Sequence, residues 1–323
     1  MPFFDLASLT KPLVTAPLAL AFLDLDADRR EELGFLERRE PLTVRQLLSH
    51  SAGLPPWLPY TGEPLSAQMR RGWPLGEVPL LRVAQTGRST YSDLGYRLIA
   101  ELGEAKTGLE WKRLGKAFTG LSPAPWSLVP MALPPGPDQE AWAAAAPKER
   151  PFPKAVPGLS HDANARAGMP GHAGFGAGPS QLKTWLGRWI AQGWASRMAT
   201  PTAESGEGGI WGLGLQVALD GEGRFGRLLA RVPEGLGGVH LVASDETALP
   251  AEIPPLAGSP GRPTGWWFHT GFTGPLLCFR PSDRCCLALL CHRAGPDGEL
   301  LDLDRLRSRR SALLQQIVAD LRG

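Results

Sequence analysis

A serine three residues before a lysine, Ser8-Leu9-Thr10-Lys11, opens an apolar run near the start of the chain. On a helix, positions i and i+3 share a face, so the lysine amine can reach the serine hydroxyl and make an activated nucleophile. The unpaired N–H groups and positive dipole end of a helix N-terminus favour an oxyanion at the same place. Alone, the tetrapeptide reads more readily as an ordinary helix start with a serine cap, so its weight depends on its company. Two further clusters supply that company. Tyr91-Ser92-Asp93-Leu94-Gly95-Tyr96 places a tyrosine on a loop before a helix. A lysine cation nearby would lower its phenol and fit it for general-base work. Asp93 is placed to cap the helix that starts at Leu94. His269-Thr270-Gly271-Phe272-Thr273-Gly274 reads as a strand edge whose small residues let a substrate lie against backbone. The N–H that follows the glycine can point at a reacting carbonyl oxygen.

These groups need elements to hold them. Residues 8–23 read as one helix beginning at Ser8, with Pro12 in its first turn and Pro17 bending it. Thr43 is an N-cap for a second helix, Val44 to Leu48, which ends at Ser51-Ala52-Gly53-Leu54-Pro55-Pro56. His50 then sits at a helix C-terminus, where a partial positive charge is favourable. Leu94 to Lys106 and Pro179 to Gln192 show helical apolar spacing. Leu121 to Gly158, rich in proline and alanine, reads as a long irregular excursion over the surface. Beyond residue 205 the pattern changes to strands at Trp211–Leu219, Gly274–Phe279 and Cys285–His292. Cys285 to Cys291 is apolar on both faces, as in a strand covered on both sides. Leu301 to Leu321 closes the chain as an amphipathic helix. Helices first, then antiparallel strands, then a helix predict an α+β fold.

Together, Ser8-x-x-Lys11, the Tyr91 loop and His269-Thr270-Gly271 resemble the signature of the serine β-lactamase, penicillin-binding-protein and carboxylesterase superfamily. Val44-Arg45-Gln46-Leu47-Leu48-Ser49-His50-Ser51-Ala52-Gly53-Leu54, His161-Asp162-Ala163-Asn164-Ala165 and Gly171-His172-Ala173-Gly174 extend the likeness to the class C-like branch over nearly the whole chain. The resemblance implies a single β-lactamase/transpeptidase-like domain. Its antiparallel sheet flanked by helices would come from about 1–23 and 201–323, with a mostly helical lobe from about 24–200. Ser8 would be the acylated nucleophile, and Lys11 and Tyr91 would share the proton transfers. The backbone N–H groups of Ser8 and Phe272 would form the oxyanion hole. Asp93, His269, Thr270, Gly271 and Trp267 would meet the substrate, Trp267 and Trp266 as a pocket wall. Members of the family carry two strands ahead of the Ser-x-x-Lys helix, beside the last strand. Seven residues precede Ser8, so these strands are expected to be missing. Cys285–Cys291 would then be an open edge, inviting pairing with another copy.

Two positions depart from the family pattern. Asp93 stands where asparagine is common. A carboxylate only accepts hydrogen bonds, and it would hold Lys11 charged, which favours Tyr91 as the working base. His269 stands where lysine is usual, and a mostly neutral imidazole removes a fixed positive charge. Substrates bearing a carboxylate, such as β-lactams and D-Ala peptides, lose an anchor there. The reading is therefore a serine hydrolase of small neutral esters or amides. A D-alanyl-D-alanine carboxypeptidase or β-lactamase, and a catalytically silent binding protein of the same fold, are the alternatives.

Composition narrows the classes further. A net charge of +2 over 323 residues gives no field for nucleic acid or an anionic membrane. The apolar stretch Leu13–Leu23 is shorter than a membrane span, and no signal-peptide pattern flanks it, so a cytoplasmic location is expected. Cys278, Cys285, Cys286 and Cys291, with His292, match no metal-ligand spacing, and His161, Asp162 and His172 read as loop-shaping polar groups. Neither a metal nor an organic cofactor is expected. Most of the eleven tryptophans, Trp185 and Trp189 among them, lie on helical apolar faces and read as core.

Overall fold

The computed structural model describes residues 3–36, 38–58, 63–70, 88–124, 160–166, 168–169, 171–205, 210–219, 223–244, 263–293 and 303–321. Most of the proline- and alanine-rich excursion expected over 121–158 lies outside these residues.

The helix expected over 8–23 is broken into three pieces. Ala7–Leu9 is a 3-10 turn, Lys11–Thr15 is π-helical, and only Ala16–Phe22, α1, is regular α-helix. The two prolines explain the break. Neither has an N–H, and in a regular helix each ring would strike the carbonyl four residues back. In the wider turn the Ala16 N–H donates to the Lys11 carbonyl, five residues back. The Leu13 carbonyl, which proline at position 17 cannot serve, accepts the Trp185 indole N–H at 2.9 Å.

The helices expected at Val44–Leu48, Leu94–Lys106, Pro179–Gln192 and Leu301–Leu321 are present with small shifts of their ends, and further short helices join them. Arg30–Leu33 is α2 and Val44–Leu48 is α3. In α3, Thr43 and Gln46 form a reciprocal capping box, which satisfies two orphan donors at once. Then come α4 (Leu65–Arg70), α5 (Asp93–Thr107), α6 (Trp111–Thr119) and α7 (Ala163–Arg166). Pro179–Ala191 is α8, Trp194–Met198 is α9, Gly223–Leu229 is α10 and Leu303–Asp320 is α11. Among the described residues no helix is long and apolar enough to cross a membrane.

A small sheet joins β1 (Phe4–Asp5), β4 (Phe175–Ala177) and β3 (Ser122–Pro123) in the order β1-β4-β3. The main sheet has eight strands. These are β2 (Arg88–Ser89), β5 (Ala203–Ser205), β6 (Ile210–Trp211), β7 (Gln216–Leu219), β8 (Val239–Ser244), β9 (Pro263–Thr270), β10 (Leu276–Arg280) and β11 (Cys285–Cys291). Their order is β2-β5-β6-β7-β9-β10-β11-β8. The sheet is mixed rather than purely antiparallel, because β8 runs parallel to β11 and β2 parallel to β5.

β8 corrects the expectation of an open edge at Cys285–Cys291. It pairs with β11 from Val239 opposite Cys286 to Ser244 opposite Cys291, while β10 holds the other side. The residues just ahead of Ser8 also form a strand, β1, whose partner is β4 in the small sheet.

β11 is buried along its whole length, as its two apolar faces require. Cys286, Ala288 and Leu290 face the large core with Leu9, Leu13 and the nucleophile turn. Cys285, Leu287 and Leu289 face a second core with Leu314, Ile317 and Val318 of α11. The sheet is thus a wall with one core on each side, and the candidate site lies on the side of the large one.

Candidate active site

The segment that carries Ser8 is tied down by Asp5. Its buried Oδ1 accepts the Ala7 N–H at 2.8 Å, and its Oδ2 accepts the His161 N–H and meets His161 Nδ1, both at 2.9 Å. These bonds hold Ala7 at a φ of 49°, a left-handed conformation that an alanine rarely adopts and that costs about 1–2 kcal/mol. Ser8 follows at once, partly exposed.

Lys11 is fully buried, with polar groups around its ammonium. Its Nζ donates to Ser8 Oγ at 3.0 Å and to the His172 carbonyl at 3.2 Å, and lies 2.7 Å from Asp93 Oδ1. Burial alone would lower the Lys11 pKa, but the charge and hydrogen bonds of Asp93 and Tyr91 more than offset it and raise it.

α5 delivers Asp93 to this point. Ser92 is its N-cap, accepting the Leu94 N–H at 3.2 Å, so the capping expected of Asp93 falls to its neighbour. Asp93 is left to face Lys11. The loop ahead of it is held by His50, a residue the sequence reading gave no such part. The Thr90 N–H donates to the His50 carbonyl and the Ser92 N–H to His50 Nδ1, both at 3.0 Å. The partial positive charge expected on His50 is absent: burial, the Lys11 cation and His269 push its pKa well below the ordinary value.

Tyr91 keeps 37% of its surface exposed, while its hydroxyl is hydrogen-bonded to Lys11 and Ser8. The Lys11 ammonium lies 4.9 Å from the ring centroid. The lysine was expected to lower this phenol. Instead burial dominates, with the Asp93 charge added, and the pKa rises. Tyr91 is therefore a neutral phenol at rest.

His269, on β9, has a tautomer set by Nδ1, which donates to the Thr270 carbonyl at 3.0 Å. Its buried Nε2 is then a lone-pair acceptor, with no partner among the described residues. Burial first, and then the Lys11 charge, hold its pKa down to about 3, so the ring is neutral as the sequence predicts. Tyr91 and Trp211 flank it, with ring centroids 6.0 and 6.1 Å away.

The turn after β9 abuts the nucleophile segment. Thr273 Oγ1 donates to the Asp5 carbonyl at 2.9 Å. A Cβ on Gly271 would lie 2.8 Å from the Leu6 carbonyl oxygen, so only glycine allows this approach. Phe272 is 36% exposed on the turn, and its ring stacks on His161 at 5.4 Å. Arg310 of α11 donates to the carbonyls of Gly274 at 2.7 Å, Pro275 at 3.3 Å and Gly271. Trp267 is only 6% exposed and belongs to the large core, and Trp266 faces the second core. The aromatic wall beside His269 is Trp211 instead.

Behind Lys11, Gly171 has a φ of 100°, and a Cβ there would collide with the Tyr96 carbonyl. This close packing sets the His172 carbonyl against Lys11. The His172 ring pairs with Asp162 at 2.9 Å. Burial opposes both charges, yet each partner sustains the other: His172 is raised and Asp162 lowered. Ligand-type atoms of Asp93, Asp162 and His172 gather within 4.8 Å of one another. Their donors are already committed to Lys11 and to each other, so a cation would have to displace an ammonium group.

A family model described as beta-lactamase matches residues 3–310. The chain belongs to the β-lactamase family. Its fold is similar to a class C β-lactamase from Rhodobacter sphaeroides (15% identity, TM-score 0.58, covering 100% of this chain and 86% of that one). It is also similar to a penicillin-binding protein from Bacillus halodurans (12%, 0.50, 97% and 86%). SurE gives 22% identity and a TM-score of 0.51, over 89% of this chain and 60% of SurE. At these identities the likeness is one of fold. Comparison with curated protein sequences gives no match.

Proposed function

We propose that this β-lactamase family chain is a serine hydrolase that forms an acyl-enzyme on Ser8 and acts on small neutral esters. The observation that carries the reading is a Lys11 ammonium 3.0 Å from Ser8 Oγ, facing a His269 held neutral. Ser8 attacks the ester carbonyl. The backbone N–H groups of Ser8 and Phe272 receive the developing oxyanion, and the Lys11 charge lies close by. The neutral Tyr91 phenol is suited to give its proton to the leaving alkoxide and to recover it through Lys11. Water then releases the acyl group by the same steps in reverse.

Substrate class follows from charge. An acceptor-only nitrogen at His269 offers nothing to a carboxylate, whereas β-lactams and D-Ala peptides present one. Thr270 and Gly271, next to it in the chain, add no cation. Hydrolysis of a short-chain p-nitrophenyl ester, abolished in Ser8→Ala, is the expected result. Equal rates for the two proteins would refute the nucleophile. Rapid, stoichiometric acylation of Ser8 by a labelled penicillin would instead favour a carboxypeptidase or β-lactamase.

A further inference from the structure

The resting site contains a difficulty that its own geometry resolves. Lys11 already carries three protons and Tyr91 already carries its own, so neither has a free lone pair of adequate basicity for the Ser8 proton. The imidazoles nearby offer no better place. His50 Nδ1 is occupied by the Ser92 N–H, and His172 Nε2 is occupied by Asp162. Burial and the Lys11 charge make His269 a weak base.

One basic group remains. Asp93 Oδ1 lies 2.7 Å from Lys11 Nζ, closer than Ser8 Oγ at 3.0 Å. It is buried, and among the described residues that ammonium is its only polar contact. We infer that Asp93 is the terminal acceptor of the Ser8 proton, reached through the Lys11 ammonium. The inference rests on Ser8 being the nucleophile.

The step balances. As the Ser8 oxygen forms its bond to the ester carbon, one Lys11 proton passes to Asp93, and the lone pair this uncovers takes the proton of Ser8. The ester's C=O pair moves onto oxygen. Lys11 ends as it began, an ammonium, and Asp93 ends as a neutral acid. The cation therefore loses its carboxylate partner at the moment the oxyanion appears, and its field turns to the new charge. The adjacent His172–Asp162 pair stays matched throughout, so no buried charge is stranded. When the ester C–O bond breaks, Tyr91 protonates the alkoxide and Asp93 returns its proton through Lys11 to Tyr91.

A fluorophosphonate probe isolates the first half, because its fluoride leaves without needing a proton. The experiment compares the rate of Ser8 labelling in the wild type and Asp93→Asn, with thermal melting as the check on folding. Asparagine keeps the shape and removes the basicity. Loss of a proton acceptor predicts a fall of about 100-fold in the labelling rate constant of Asp93→Asn, with probe binding little changed. A fall of less than about tenfold, or a faster reaction from a Lys11 freed to act as base, overturns the proposal. The wild-type rate in mixtures of H2O and D2O is a second measure that needs no variant. Two protons in flight predict a bowed dependence on the deuterium fraction, and a straight line overturns the inference should Asp93→Asn fail to fold. Failure of the probe to label wild-type Ser8 at all would refute the nucleophile instead, and is thereby distinguished.

Discussion

His172 and His269 are buried to nearly the same degree, and both feel the Lys11 charge, yet they are driven in opposite directions. His172 sits in the loop after Gly171, against the Asp162 carboxylate, and holds its proton more tightly than an ordinary imidazole. His269 sits at the end of β9 against a backbone carbonyl, with aromatic rings on its flank, and refuses a proton down to about pH 3. The teaching is that burial alone decides little. A carboxylate within hydrogen-bond reach reverses the sign that desolvation and a nearby cation would impose. One side of the site is thus a chain of paired charges and the other is a neutral aromatic wall, with Ser8 between them.

Removing the shared cation breaks the comparison most severely. Lys11→Met should abolish ester hydrolysis, at least about 1,000-fold, since Ser8 loses the ammonium that contacts its hydroxyl. It should also lower stability by about 3 kcal/mol, at the low end for a broken buried pair because Asp93 keeps some solvent contact. Steady-state rates and a denaturant melt measure both. A variant that retains activity would sink the assignment of Lys11.

The two histidines should also leave opposite marks on stability against pH. The unfolded imidazole titrates near 6.5. Folded His269 rejects the proton until about pH 3, so its contribution is present above about pH 6.5 and is lost as the pH falls towards 3. Folded His172 binds its proton more tightly, so its contribution is full below about pH 6.5 and is lost as the pH rises through its raised folded value. Tm measured from pH 4 to 9 should show the acid slope flattened in His269→Gln and the alkaline decline flattened in His172→Gln. Unchanged slopes in both variants would remove the contrast.

The smallest effect should come from His269→Lys, which gives the neutral wall the cation of the superfamily signature. Acylation of Ser8 by a labelled penicillin should accelerate about tenfold, worth roughly 1.4 kcal/mol of carboxylate recognition. Adduct formation followed by mass spectrometry reads this directly. No gain would mean that charge at this position does not select the substrate.

What was legible in the sequence was mostly local. Ser8 and Lys11 are three residues apart and touch in the structure, and Tyr91 and Asp93, two apart, both meet Lys11. Thr43 announces α3 through its capping box, and Cys285–Cys291 announces a strand between two cores. What escaped notice crosses the chain. His50 holds the Tyr91 loop through a nitrogen 42 residues from its partner, and Arg310 reaches carbonyls 35 to 39 residues away. Neither bond leaves a local pattern. β8 escaped because a strand paired in parallel gives no hairpin turn to betray its partner. The break after Ser8 was foreshadowed by Pro12 and Pro17, but the π-helical answer depends on Trp185 being near enough to serve the Leu13 carbonyl.

Arg310 gives the molecule an order in time. A ribosome makes Ser8 well before Arg310, yet the guanidinium props the turn that lies against the Ser8 segment. A nascent chain therefore displays Ser8 long before the opposing turn has its support. Competence should arrive late and abruptly, as α11 emerges and docks. A chain clipped ahead of that helix would keep every residue of the motif and still be inert.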